Sequence, residues 1–346
     1  MFETPVVLLI FNRPHTTARV LDAIRGAQPR RLFVVADGPR NAAEAALCDA
    51  TRAVLARVDW PCQVVTNFAG QNLGCGRRVS SGLDWVFDQV TEAVILEDDC
   101  VPEPMFFRYC AELLARYRAQ DQVMMVCGHN PLAQEQPGRL SYHFSQYGSH
   151  WGWATWRRSW RLYDFAMTAW HEPDVRLRLQ RAVGDAGYLA YQLDLWAAVS
   201  CGRIDTWDCQ WTFMQLLHGG LAAVPSVNLI SNIGFSAEGT HTRHGLALAA
   251  QSVCRPLSFP LDHPPAVAAH EWYDRQLMNW RLGRPEAATV LARVDEQLAA
   301  GRHAHALLLL MAMERAGLAQ SADQRGRGEA MKAQALRALG RTTGRA

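Results

Sequence analysis

Residues 5–39 read PVVLLIFNRPHTTARVLDAIRGAQPRRLFVVADGP, and this stretch decides the fold. Pro5–Phe11 is an apolar run of strand length with no alternation, as a strand buried on both faces requires. Thr17, Val20, Leu21 and Ile24 then recur at i, i+3, i+4 and i+7, the signature of a helix with one apolar face. Leu32–Ala36 is a second buried strand, closed by the turn signal Asp37-Gly38-Pro39.

The alternation continues outward. Cys62–Asn67 reads as a third strand, and Val79, Leu83, Val86 and Val90 give the next helix its core face. Ala93–Leu96 and Val123–Cys127 are two more strands, separated by a helix carrying Met105, Phe106, Tyr109 and Leu113. Strands alternating with helices predict an α/β fold with a doubly wound, mostly parallel central sheet. From about Pro131 the chain turns to Trp-rich loops and helices, expected as the second half of the same domain. The expected division is therefore 1–261, with halves 1–130 and 131–261, followed by a helical appendage over 262–346. In that appendage Glu286–Ala300 and His303–Ala316 flank a Gly301-Arg302 turn, and the tail with Gly326, Gly328 and Gly340 is expected to fray.

Composition narrows the function. The chain has 346 residues, 49% hydrophobic and 20% charged, too apolar for a disordered protein. Its longest apolar runs, Pro5–Phe11 and Ala306–Met313, fall short of the roughly 20 residues a bilayer needs. Glu3 stands where a signal peptide would carry basic residues, and Asn12-Arg13-Pro14 breaks the apolar run. A net charge of +2 gives no basic excess for bulk nucleic-acid binding. The nine cysteines are odd in number and form no C-x-x-C pair, so neither a disulfide framework nor a zinc site is indicated. A cytoplasmic location is expected, with a peripheral position at the inner membrane as the variant of it. Eight of the twelve tryptophans lie between Trp151 and Trp211, which calls for a thick core or an aromatic platform.

Ligands of open parallel sheets bind at the carboxyl ends of the strands. Here those ends carry Asn12-Arg13, Asp37 and Glu97-Asp98-Asp99. Three adjacent carboxylates repel one another unless a cation sits among them. Hard oxygen ligands suit Mg2+ or Mn2+ bound together with substrate phosphates; a solvated strand end is the plainer explanation. Asn12, Arg13 and Asp37 could hold a nucleoside's base and ribose, although for Asp37 alone a turn role suits the residue better than a ligand role. Asn72, Gly74 and Gly82 frame a loop entering a helix, where free N–H groups could face a phosphate. Asp208 opens a helix and could accept a proton from an attacking hydroxyl, or simply complement the helix dipole. His241 lies in the polar loop Gly239-Thr240-His241-Thr242. No Walker or G-x-G-x-x-G fingerprint occurs, against an ATPase or a dinucleotide oxidoreductase.

At these positions the chain resembles the GT-A glycosyltransferases, nearest to the N-acetylglucosaminyltransferase I-like branch and its bacterial haemolytic-protein-like, family 2-like relatives. Four blocks carry the resemblance in order: PVVLLIFNRP (5–14), AVILEDDCVPEPMFF (93–107), HWGWATW (150–156) and TWDCQW (206–211), the last followed by PSVNLISNIGF (225–235). It spans about Thr4 to His244, with the EDD triplet in place of the commoner D-x-D. The resemblance implies an inverting transfer from a nucleotide-diphosphate sugar, UDP-GlcNAc-like, with Mn2+ or Mg2+ as cofactor, to a glycan, lipid-linked or protein acceptor. It implies that Asn12, Arg13 and Asp37 contact the nucleoside, Glu97 and Asp98 the ribose and donor sugar, and that Asp99 ligates the metal. Asp208 would be the base, the His241 loop would close over the diphosphate and complete the metal site, and Trp153 would line the acceptor side. Val79 and Ser80 stand where related processive families carry Arg-Asn, with Arg77 or Arg78 as the candidate replacement. The rival enzyme class is a sugar nucleotidyltransferase, and the rival outside enzymes a carbohydrate-binding scaffold that uses the tryptophans as a stacking surface. The C-terminal helices offer a surface for a homo-oligomer or a partner.

Overall fold

The computed structural model describes residues 1–133, 140–234, 253–283, 287–315, 318 and 321–340. The chain separates into two compact units, Met1–His270 and Glu271–Ala346. Residues 262–270 go with the first unit because backbone bonds tie them to it. Ser141 N donates to Asp262 O at 3.0 Å, and His270 N to Phe144 O at 2.7 Å.

The first unit opens with β1 (Val6–Ile10), α1 (Pro14–Ala27), β2 (Arg31–Ala36), α2 (Ala42–Ala53), β3 (Gln63–Phe68), α3 (Cys75–Phe87) and β4 (Glu92–Glu97). All five residues of β1 are buried, as its unbroken apolar run demands. On α1 the buried residues are Thr17, Val20, Leu21 and Ile24, and the three aliphatic ones each contribute about 1.5–3 kcal/mol by burial. Pro14 begins that helix with its φ already set, and Gln28 ends it in the left-handed region at φ 51°.

Next come β5 (Cys100–Pro102), α4 (Met105–Arg116), β6 (Val123–Cys127), β7 (Tyr142–Ser145), β8 (Trp153–Trp156) and α5 (Arg157–Trp160). The unit continues with α6 (Val175–Ala182), α7 (Ala186–Ser200), α8 (Asp208–Leu217), β9 (Leu221–Pro225) and β10 (Ile230–Asn232). Eight strands form one sheet in the order β3-β2-β1-β4-β8-β6-β9-β7, and β10 pairs with β5 beside it. Strand β8 runs antiparallel to both its neighbours, β4 and β6, and β7 runs antiparallel to β9. The remaining pairings within the eight-stranded sheet are parallel, and β10 runs antiparallel to β5. The architecture is thus α/β with a mixed, mostly parallel central sheet, its antiparallel members drawn from the Trp-rich half.

The second unit holds α9 (Glu271–Arg281), α10 (Ala287–Ala299), α11 (His303–Arg315) and α12 (Ala322–Ala338). Val290, Leu291, Val294, Ala306, Leu310, Met331 and Ala335 form the shared core of the last three helices. Gly326 and Gly328, expected in a fraying tail, lie inside α12 instead. A capping box between Ser321 and Gln324 starts that helix, and burial of Met331 and Ala335 fixes one face. No helix among the described residues is long and apolar enough to cross a membrane.

Candidate active site

Register places the acidic triplet beside the end of β1. Leu9 lies opposite Glu97, and Ile10 lies opposite Ala36 on the other side. Residues 11–13, Asp37 and Glu97–Asp99 therefore emerge together at the carboxyl edge of the sheet. Past the triplet the chain turns into β5, which pairs with β10, and Ile233 N donates to Asp99 O at 2.8 Å. Gly234 approaches so closely that a Cβ there would collide with the Asp99 carboxylate.

Arg13 is the cation among these carboxylates. Its Nη1 lies 2.9 Å from Asp99 Oδ2 and 3.6 Å from Asp98 Oδ1. Asp98 also accepts the backbone N–H of Phe11 at 3.2 Å. Burial, followed by repulsion from Asp99, raises the Asp98 carboxyl to about 7 despite Arg13. Burial pushes Glu97 well above the usual carboxyl range, reinforced by the charges of Asp99, Asp208 and Asp98. That electrostatic coupling joins Asp208, from the other half of the sequence, to the triplet.

Asp208 is the first residue of α8. Its Oδ1 accepts from the Thr206 hydroxyl and from Cys209 N at 2.9 Å, and its Oδ2 accepts no hydrogen bond among the described residues. The turn before it docks on the start of α3, where Gly76 N donates to Asp205 Oδ1 at 3.0 Å. Gly74 adopts φ 81°, and a Cβ on it would strike Asp205 Oδ2. Cys75 lies between the two halves. Burial raises its thiol far above the ordinary range, helped by Glu97, Asp208, Asp205 and Asp37. The sequence does not single out Asp205 and Cys75, because nothing local marks a junction made across more than a hundred residues.

Several expected site residues have partners of their own. Asp37 accepts from Gly38 N at 2.8 Å, Leu73 N at 2.9 Å and Asn72 Nδ2 at 2.9 Å, so it braces the loop after β3. Burial nonetheless raises its carboxyl above the ordinary value. Asn12 Nδ2 donates to Glu44 Oε1 at 3.4 Å. Arg78 donates to the carbonyls of Ala36 and Asn67 at 3.1 and 2.7 Å, which makes it a brace between β2 and β3. Arg77 lies over the ring of Phe165, its guanidinium carbon 5.4 Å from the centroid. The helix start at Gly74 faces Asp205 rather than open space. Trp153 is wholly buried, stacked on Trp207 at 5.5 Å and against Trp211 at 5.2 Å, so its ring surface goes to packing beneath the start of α8. Trp156, Trp196 and Trp211 are also fully buried, which makes most of the aromatic cluster core. His241 lies outside the described residues.

Among the described residues no group of three or more His, Cys, Asp or Glu side chains is arranged to hold a metal ion. The described residues alone therefore build no closed cage. Asp99 is a hard carboxylate at the strand end, the kind of donor that Mg2+ or Mn2+ takes, with Oδ2 paired to Arg13 at 2.9 Å and Oδ1 accepting from Cys100 Sγ at 3.4 Å.

No protein-family model matches the sequence, and no curated protein is similar to it. Among solved structures it is similar to S. aureus TarS 1–349, with 8% identity and a TM-score of 0.37 over 66% of this chain. The chain spans 59% of that structure's length. It is also similar to the apo form of mouse xyloside xylosyltransferase 1, with 10% identity and a TM-score of 0.34, covering 64% of this chain and 85% of that one.

Proposed function

We propose that the chain is an inverting glycosyltransferase that moves a sugar from a nucleotide-diphosphate donor, UDP-GlcNAc-like, to a hydroxyl of a glycan, lipid-linked or protein acceptor. One relationship carries this reading: Asp208, 109 to 111 residues from the Glu97-Asp98-Asp99 triplet in sequence, is near enough for its negative charge to push the Glu97 carboxyl up. A carbohydrate-binding scaffold has no use for that juxtaposition, and its stacking surface is largely buried core.

The reaction needs a proton acceptor and a place for leaving-group charge. Asp208 Oδ2 takes the proton of the acceptor hydroxyl, whose oxygen attacks the anomeric carbon on the face opposite the diphosphate. The bond from that carbon to the diphosphate oxygen breaks and its configuration inverts. Thr206 and the Cys209 N–H hold the other carboxylate oxygen, which orients the base. Glu97 accepts no hydrogen bond among the described residues, so a hydroxyl-rich ligand gives its carboxyl the partner it lacks. Arg13 is the cation paired with Asp98 and Asp99 at this edge of the sheet. A metal held on Asp99 would supply charge neutralisation for the departing diphosphate. Thermal-shift screening of nucleotide sugars with and without Mn2+, followed by hydrolysis assays on the hits, tests the reading. Stabilisation by a nucleotide sugar is expected; stabilisation by none of them overturns it.

A further inference from the structure

We infer that Arg13 is a resident counter-cation, one that keeps Asp99 from a metal ion until a nucleotide diphosphate arrives to take the guanidinium. The inference rests on the proposed function and adds an order to the assembly of its site.

A single nitrogen, Nη1, reaches both neighbouring carboxylates, at 2.9 Å to Asp99 and 3.6 Å to Asp98. The guanidinium thereby bridges the two adjacent carboxylates, and the other Asp99 oxygen accepts from Cys100 Sγ at 3.4 Å. The three side chains are only 28%, 11% and 16% exposed, so solvent screens the pair weakly. The backbone behind Arg13 is fixed. Its carbonyl accepts Thr17 N at 3.0 Å and the Thr16 hydroxyl at 3.2 Å, and Pro14 follows it at the start of α1. The nearby arginines are engaged elsewhere: Arg78 with Ala36 and Asn67, Arg52 with the carbonyls of Asp37 and Ala69, and Arg40 with Glu44.

Two costs therefore face an ion that approaches alone. It must displace a charge-assisted hydrogen bond from Asp99, and it must sit beside the positive guanidinium. A diphosphate removes both, because a guanidinium pairs with phosphate oxygens as readily as with a carboxylate. Metal and nucleotide then bind with positive coupling, and part of that coupling belongs to Arg13.

Mn2+ binding to the full chain, read from the free-ion electron paramagnetic resonance signal, tests this without any turnover. For wild type, UDP is expected to tighten Mn2+ binding by about tenfold or more. Arg13→Gln is expected to bind Mn2+ alone about tenfold tighter than wild type does, while Arg13→Lys, which keeps the charge, stays near wild type. Adding Asp99→Asn to Arg13→Gln should abolish the gain. Arg13→Met gives the same comparison if the glutamine variant does not fold. Unchanged Mn2+ affinity in a folded Arg13→Gln or Arg13→Met protein, with UDP-dependent uptake intact in wild type, overturns the role of Arg13 and leaves the transferase reading standing. Absence of Mn2+ uptake by wild type with either UDP or GDP overturns both.

Discussion

The backbone N–H of Gly76 donates to the carboxylate of Asp205 at 3.0 Å, across 129 residues of chain. This bond joins the first turn of α3, beside β2, to the turn that launches α8. It satisfies one of the free N–H groups of a helix start with a negative charge, favourable for both the hydrogen bond and the dipole. Asp208 is three residues further on, so the bond also fixes where the proposed base stands relative to Glu97.

Loss of that cap in Asp205→Ala should cost about 0.5–2 kcal/mol in urea unfolding. Gly74→Ala should cost more, since it combines a φ of 81° with a Cβ against Asp205 Oδ2. In the Asp205→Ala background the clash is gone and only the backbone strain remains. The double mutant should therefore be more stable than the sum of the single losses predicts; strict additivity would contradict the close approach.

Trp153 tests the distinction between core and surface. Trp153→Ala should lose about 3–5 kcal/mol, the cost of emptying a large buried site. Its indole N–H is buried without a hydrogen-bond partner among the described residues, so Trp153→Phe gives up volume but also removes an unsatisfied donor and should cost less. Near-wild-type stability of Trp153→Ala would show that the ring is not core.

His143 should make the first unit acid-labile. Burial, and then the neighbouring charge of His270, lowers its imidazole from 6.5 to about 3. A depressed folded value means the stabilisation is present above about pH 6.5 and is lost as pH falls towards 3, up to several kcal/mol by linkage, of order 1.4 kcal/mol per unit. The raised carboxyls of Glu97 and Asp98 act with the opposite sign, since they favour folding as pH falls. The histidine contribution is therefore read as a difference: His143→Gln should lose less stability than wild type between pH 7.5 and 4.5. Equal losses would contradict it.

What the sequence revealed depended on range. The first five principal strands and their helices were legible because each signal is local: an apolar run, or a 3.6-residue repeat such as Thr17, Val20, Leu21 and Ile24. In sequence, strand β8 is indistinguishable from the Trp-rich loops around it, since a four-residue WATW segment has neither length nor alternation to mark it. Its pairing between β4 and β6 is decided by tertiary packing of Trp153 and Trp156. The acidic triplet and Asp208 were visible as residues, and the electrostatic link between Asp208 and Glu97 was not. The commitments of Asp37 to the backbone around Leu73, and of Arg78 to the carbonyls of Ala36 and Asn67, depend on loops meeting across the fold. Composition carries no trace of such meetings.

The most direct test of the central claim compares wild type with Asp208→Asn for both nucleotide-sugar binding and sugar release from the stabilising donor. Asparagine keeps the hydrogen bonds to Oδ1 and removes the base. Donor binding should remain within about threefold, while turnover falls by about 10²–10⁴-fold. Turnover close to wild type in a folded Asp208→Asn protein would contradict the account, because Asp208 is the carboxylate at the start of α8 whose charge acts on Glu97.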